Sequence, residues 1–389
     1  VMMPETGWTP VRLSSASITS VIGISCTFEL HNDTSELFYA SDITEEVGIS
    51  GIHVRSSNTT KFEFNGIVFS ELSESLKNAN IVDCGVYGLK ILKGGTVGNN
   101  AGSGGNVTLA SCYAVNCTIG NAQGGVVGSI CETATAVACY VFDCTLEDSS
   151  GGIFGPYSFT ANAVACYAVA CTASHFTGCI FGEVAGSVNA TAVACYVNSC
   201  FFNVSSGGIF GGYAGSYTGN AKAIACYATN CTFDNFSGGI FAPYAGHFSG
   251  NVTAVACYTS NCLVQGQSGG IFAEKAGDGG GNATAIACYF TVPDDTLVGN
   301  SGIFGPDAVA DATANLCYSY NAHISASPIT LIDCYSHTGA GWKKESFNDN
   351  GNLDESSIDP NNPIPTHMNY DGDRSPSNQI RLRHFTAYP

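Results

Sequence analysis

A Cys-Tyr dipeptide recurs along this chain, and eight of its cysteines serve as anchors, at Cys112, Cys139, Cys166, Cys195, Cys226, Cys257, Cys288 and Cys317, with spacings of 27, 27, 29, 31, 31, 31 and 29 residues. Six of these anchors carry a second cysteine five positions on, at Cys117, Cys144, Cys171, Cys200, Cys231 and Cys262. Roughly thirteen positions after each of the first seven anchors comes a Gly-Gly-Ile-Phe stretch or a variant, from "GGVVG" at 124–128 to "SGIFG" at 301–305. A unit of this size cannot bury its own apolar face. It must stack on its neighbours, so the chain is a repeat architecture before anything else is known.

Residue choice decides between helical and β repeats. The anchor stretch "TAVACYV" (191–197) alternates, which predicts Val193, Cys195 and Val197 on one face and Ala194 and Tyr196 on the other. The Gly-Gly before each Ile-Phe breaks a helix but suits a bend where backbones approach closely. The expected fold is all-β: a β-solenoid, parallel β-helix-like, of about eight coils of 27–31 residues with internal disulfides. At about 4.8 Å per coil such a rod is on the order of 40 Å long.

The segment "GGIFAPYAGHFSGNVTAVACYTSNC" (238–262) resembles the GLUG repeats of bacterial surface adhesins and related cell-wall proteins, in which a "GGLVG" strand, a short turn and an "NCYATG"-like strand alternate. The resemblance covers about 85–335 and implies a β-solenoid with a role at a cell surface. The second cysteine of each unit and the glycosylation sequons described below are departures from that pattern.

Nineteen cysteines in one chain fit an oxidising, secreted setting. Zinc needs four converging ligands, usually in close pairs and often with His, which no C-x4-C unit here supplies. A thioredoxin-type centre needs C-x-x-C, and a catalytic thiol is one special cysteine rather than one of many equivalents. The expected role is structural. A corner at Asn116 or Asn230 would turn both cysteines of a unit inward and favour a bridge within the unit. Stacked cysteines one coil apart, about 4.8 Å, are also within bonding range. Cys288 and Cys317 lack a second cysteine and are expected to bond across coils. Cys131 and Cys179 lie outside the frame and pair only if their coils bring them together. An odd total leaves at least one thiol free or bonded to another chain.

N-x-S/T sequons occur at Asn32, Asn58, Asn106, Asn116, Asn189, Asn203, Asn230, Asn235, Asn251 and Asn282. Asn106, Asn189, Asn251 and Asn282 each precede an anchor cysteine by six, while Asn116 and Asn230 follow theirs by four. Equal offsets mean equal azimuth in a solenoid, so N-glycans would form rows along the rod. Asn220, at the same offset but no sequon, shows that a turn preference alone also places Asn there.

The ends keep no period. Residues 1–84 contain strand-like stretches and read as an irregular β cap or small β-domain, residues 85–338 as the Cys-rich solenoid, and 339–389 as an extended polar tail, expected to serve as an inter-subunit arm. A chain starting at Val1 fits removal of a targeting segment. The acidic group Asp349, Asp354 and Glu355 lacks the ordered spacing of a calcium loop and reads as solvated.

Charge bounds the function. With 13 Lys+Arg against 31 Asp+Glu, the net charge is −18, which argues against nucleic acid and anionic membranes. No apolar run reaches the ~18 residues of a membrane span. Polysaccharide lyases and hydrolases on solenoids need clustered carboxylates, or carboxylates with Lys or Arg, on one face. Between residues 101 and 300 there is no Arg and only Lys222 and Lys275, and adjacent Asp294 and Asp295 point to opposite faces of a strand. No cofactor, metal or catalytic residue is expected. The seven Tyr from Tyr113 to Tyr289 that follow anchor cysteines form either a sugar-stacking strip, as in a surface adhesin or carbohydrate-binding module, or a ladder that stacks for stability alone. The favoured expectation is a secreted structural glycoprotein that assembles with copies of itself into an extracellular filament or surface coat. The alternative partner is cell-surface carbohydrate.

Overall fold

The computed structural model describes residues 11–13, 20–40, 47–57, 59, 61–69, 78–100, 102, 105–292, 302–309, 311–325, 327–337, 342–347 and 353–357. The protein is an all-β parallel solenoid of about nine turns. Among the described residues there is no helix, and hence none long and apolar enough to cross a membrane. A typical coil runs through three strands, Asn220–Ile224, Tyr227–Thr229 and Thr232–Phe233, and then a bend at the Gly-Gly-Ile-Phe stretch. Each strand pairs in parallel and in register with its equivalents one coil before and after: Asn189 opposes Asn220, which opposes Asn251, and Tyr196 opposes Tyr227, which opposes Tyr258.

Two left-handed corners give the coil its shape. Ala225 has φ 53° and Asn230 has φ 56°, and each immediately precedes a cysteine. A residue in this region resets the in–out alternation of the strand. Ala221 and Ala223 point inward, the corner intervenes, and Cys226 and Ala228 then point inward again; after Asn230, Cys231 and Phe233 do the same. The same two corners recur at Ala138 and Asp143, Ala165 and Ala170, Ala194 and Ser199, and Ala256 and Asn261. The expected corners at Asn116 and Asn230 are present. The single uninterrupted alternation across 191–197 is not: Cys195 and Val197 are buried, but Val193 is only half-buried, because the corner at Ala194 separates it from them.

The third side of the core is built by the Ile-Phe pairs. Phe154, Phe181, Phe210, Phe241, Phe272 and Phe304 form a fully buried column with ring centroids 4.7–5.1 Å apart. Glycine precedes them for a steric reason. A Cβ on Gly208 would overlap the carbonyl oxygen of Gly239 in the next coil. The bend thus holds neighbouring backbones at a distance that admits no side chain, while the hydrogen bond from Gly208 N–H to Gly238 C=O (3.0 Å) ties the coils together.

The ends of the rod are built differently from its middle. Strands Ser20–Leu30 and Val47–Ser56 pair with each other in parallel and continue through Gly85–Tyr87 into the Tyr-bearing strands, while Thr34–Ala40 and Glu63–Phe69 lead into the third-strand column. The described strands of the first 84 residues therefore belong to the same two sheets as the repeats. Their strands are longer and lack the Cys-Tyr signature, which is why the period misses them. At the other end Trp342–Phe347 pairs antiparallel to Cys334–His337, and Leu353–Ser357 pairs antiparallel to Trp342–Phe347. This reversal ends the parallel stack. Residues 358–389, most of the expected arm, lie outside the described residues, as do Asp294, Asp295 and Asp349.

Truncating one ring of the column removes packing on both sides of its coil. Phe210→Ala is expected to cost about 3–5 kcal/mol, and Gly208→Ala at least as much through backbone displacement; urea denaturation of both variants measures this.

Candidate functional site

Each corner cysteine faces the core and meets the equivalent cysteine of the next coil. The first ladder runs through Cys112, Cys139, Cys166, Cys195, Cys226, Cys257, Cys288, Cys317 and Cys334, buried axial neighbours whose thiols donate to backbone carbonyls, as Cys226 does to Ala192 (3.5 Å) and Ile224 (3.4 Å). The second runs through Cys117, Cys144, Cys171, Cys200, Cys231 and Cys262. In this second ladder the backbone N–H of one cysteine donates to the sulfur of the next: Cys117 to Cys144 (3.4 Å), Cys171 to Cys200 (3.4 Å), Cys200 to Cys231 (3.5 Å) and Cys231 to Cys262 (3.3 Å). All nineteen cysteines are free thiols in this structure.

This arrangement bears on the expected bridges. No disulfide joins the two cysteines of a unit, and Cys231 N–H reaches the sulfur of Cys262 one coil along the rod (3.3 Å). Cys288 and Cys317 are axial neighbours, but so are all their equivalents. Cys179 does not meet Cys131; its thiol joins the second ladder at Cys200. No three His, Cys, Asp or Glu side chains among the described residues are arranged to hold a metal ion.

The thiols do not shift alike: neighbouring ladder thiols hold Cys139 and Cys334 down, while burial pushes others up. Cys131 is pushed up to about 12 and Cys84 to about 11, in both cases chiefly by burial, and burial likewise raises Cys117, Cys257 and Cys317. A thiol of this kind is a poor nucleophile and a poor metal ligand at neutral pH.

The tyrosines form a third ladder on the outer face. From Tyr113 to Tyr289 the seven rings stack at 4.7–5.3 Å with interplanar angles of 2–17°. At one end His53 lies against Tyr113, with Nδ1 2.9 Å from its hydroxyl oxygen. A sugar stacks on an aromatic face, and along this ladder both faces of each internal ring are already covered by neighbouring rings. Of the two readings of these residues, the self-stacking one matches the geometry.

Asparagines line the corners and strand starts. Asn106, Asn189, Asn220, Asn251 and Asn282 share one outward row, joined in part by side-chain bonds from Asn220 to Asn189 (3.2 Å) and from Asn282 to Asn251 (3.0 Å). Asn116 and Asn230 occupy the second corner. Asn203 and Asn235 are exposed in the turns that follow the third strands, Asn32 is half-buried in the turn after Ser20–Leu30, and Asn58 lies outside the described residues.

One polar group escaped sequence reasoning. Glu345, in the closing hairpin, is fully buried opposite Cys334; one carboxylate oxygen accepts the N–H of Ile324 (2.9 Å) and the other lies 2.7 Å from His323 Nδ1. It sits where the first cysteine ladder ends, and it fastens the hairpin to the last coil. Nothing in the local sequence distinguishes it from the solvated acids of the tail.

No family model matches the chain, and no curated protein matches it. Among solved structures, ORF18 of Geobacillus virus E2 is similar at 10% identity with a TM-score of 0.21, over 83% of this chain and 57% of that one. The chain thus spans little more than half the length of that protein, and a likeness of this degree carries no argument.

Two outcomes test the ladders. In the reduced protein, raised thiols and the raised hydroxyls of Tyr113 and Tyr258 (both to about 12, chiefly by burial) bind protons that the unfolded chain releases near pH 8.5–10. The contribution of these raised groups is therefore full below about pH 8.5 and is lost as pH rises toward 12, and thermal melts of variants such as Tyr113→Phe across this range measure it. In oxidised protein, non-reducing peptide mapping is expected to link cysteines one coil apart, such as Cys226 with Cys257, and not Cys226 with Cys231.

Proposed function

We propose that the chain is a secreted structural glycoprotein, a subunit of an extracellular filament or surface coat whose principal partner is another copy of itself. The observation that carries this reading is how the repeated side chains are used. Cysteines, phenylalanines, tyrosines and asparagines in register are spent on contacts with their own equivalents one coil away. Such investment favours a durable rod over a reactive cleft. Low charge content, the abundance of cysteine and the row of sequons support the same reading, as does the resemblance to GLUG repeats of cell-surface proteins.

The closing hairpin bears on how copies would meet. Because Trp342–Phe347 runs antiparallel to the last coil, coil-on-coil stacking in parallel register does not continue through this end. Strand Leu353–Ser357 has a partner on one side only among the described residues, and the polar tail follows it. Association would then use the sides of the rod, or the tail as an arm that adds a strand to a neighbour. An adhesin is the second reading. It rests on the GLUG resemblance, and the Tyr ladder lends it no sugar-binding strip.

Negative-stain imaging and sedimentation of the purified full chain test the assembly. Filaments, sheets or discrete oligomers are expected, and monomers alone at all concentrations would remove the filament reading. Glycopeptide mapping tests the sugar rows. Asn251 and Asn282 oppose each other in adjacent coils, about 4.8 Å apart, so two branched glycans there collide and the two sites are expected not to be filled together.

A further inference from the structure

Taking the self-association read above as given, we propose that the side of the rod built by the first and second strands between residues 79 and 169 is the surface on which a second copy of this chain docks. One outward column decides the place. Tyr87, Val115, Phe142 and Val169 oppose one another in successive coils, and the same column then continues as Asn198, Thr229 and Ser260. The backbone pairing is the same throughout, so the fold does not require apolar residues here. A stack kept for stability alone would run the length of the rod, as the Tyr ladder does. The column is instead apolar in one half and polar in the other, and its rings are left in water, Tyr87 at 49% and Phe142 at 44% exposed.

Neighbouring columns widen the patch. Across the first corner Val82, Ala110, Val137 and Val164 oppose one another, and the three valines are each more than a third exposed. Tyr113, Tyr140 and Tyr167 of the ladder lie between the two columns. Six residues at about 3.3 Å by four coils at about 4.8 Å make an apolar centre of about 400 Å², a size at which such patches are often functional. With the uncharged Thr133–Val137 strand and its equivalents as a rim, the face reaches about 600 Å². Two copies meeting there cover about 1,200 Å², where specific interfaces begin.

Charge and sequons make a second copy the occupant. The chain carries a net charge of −18, so two copies repel unless they meet where acids are absent. In the first and second strands from Ala79–Val82 to Tyr289–Thr291 the one charged residue is Lys222, and Asp83 and Asp143 stand at corners on the rim of the patch. Acids gather elsewhere, at Glu147, Asp148 and Asp234 after the third strands and at Glu183 and Glu274 after the Ile-Phe bends. A basic partner would be drawn to those acids and not to an uncharged face. Sequons are missing from the same place. None occurs between Asn116 and Asn189, whereas Asn189, Asn203, Asn230, Asn235, Asn251 and Asn282 crowd the half of the rod where the column is polar. The row position held by Asn189, Asn251 and Asn282 is Thr133 and Thr160 in the sequon-free coils. An uncharged apolar face can meet its own image about a two-fold axis, each contact being made twice.

Sedimentation equilibrium of the purified full chain tests this, run beside the double variant Phe142→Thr with Val169→Thr and the control Phe201→Thr. Each substitution installs a residue of the same column: Thr229 for the first two, and Thr172 and Thr232 for Phe201, which is 44% exposed on the third strand. The parent is expected to form a two-fold dimer, and F201T to associate like the parent. The double variant is expected to dissociate with a constant raised about tenfold or more, and to melt with the parent at concentrations where both are monomers. F142T alone carries the same test if the double variant does not fold. A parent that stays monomeric at all concentrations overturns both this face and the self-association on which it rests. A parent that associates no better than the double variant overturns this face alone. So does a double variant whose sole change is a lower melting temperature, which would make the column a stacking device.

Discussion

Parallel, in-register pairing between successive coils is the constraint on which the rest of this protein depends. A typical described coil has three short strands, some only two residues long, such as Thr232–Phe233. None would persist alone. They persist because every backbone group that points along the rod finds a partner at fixed offset in the next coil, as in Tyr227 N–H to Cys195 C=O and Thr232 N–H to Cys200 C=O, both 3.0 Å. Once that register is set, identical residues must stack on one another. The Phe column, the Tyr ladder and the two cysteine ladders all follow from the one spacing.

The same constraint explains what the surface offers. Stacking consumes aromatic faces along the Tyr ladder and leaves the ladder thiols buried, so the features that look most like chemistry in the sequence are the least available in the fold. What is available sits where the repeat varies: in the outward column that is apolar to Val169 and polar from Asn198, and at the closing hairpin where Glu345 meets His323. Along the sides of such a rod the repeated side chains face their own equivalents, and its irregularities set it apart.

Much of the fold was legible because the period repeats and because Gly-Gly, Cys-Tyr and Asn recur at fixed offsets. The solenoid class, the parallel stacking and the corners at Asn116 and Asn230 follow from those offsets. Three things did not. The corner at Ala194 was hidden because alanine carries no turn signal, so Val193 was assigned to the wrong face. The first 84 residues lack the signature yet share the sheets, since backbone pairing needs no particular side chain. The partners of the cysteines were hidden as well. Spacing along the chain measures neither the corner between Cys226 and Cys231 nor the axial contact from Cys226 to Cys257, and only the register decides between them.

Deleting a whole coil tests that register most directly. Removal of residues 226–256 joins Ala225 to Cys257, which reproduces the native Ala-Cys junction and brings Asn220–Ile224 onto the strand Asn282–Ile286. The shortened chain is expected to keep its β circular dichroism and cooperative melt, with a rod shorter by about 4.8 Å in small-angle scattering. Removal of residues 226–241 alone, about half a coil, is expected to abolish folding. If the whole-coil deletion unfolds, or if the half-coil deletion is tolerated equally well, stacking in register is not what holds this protein together.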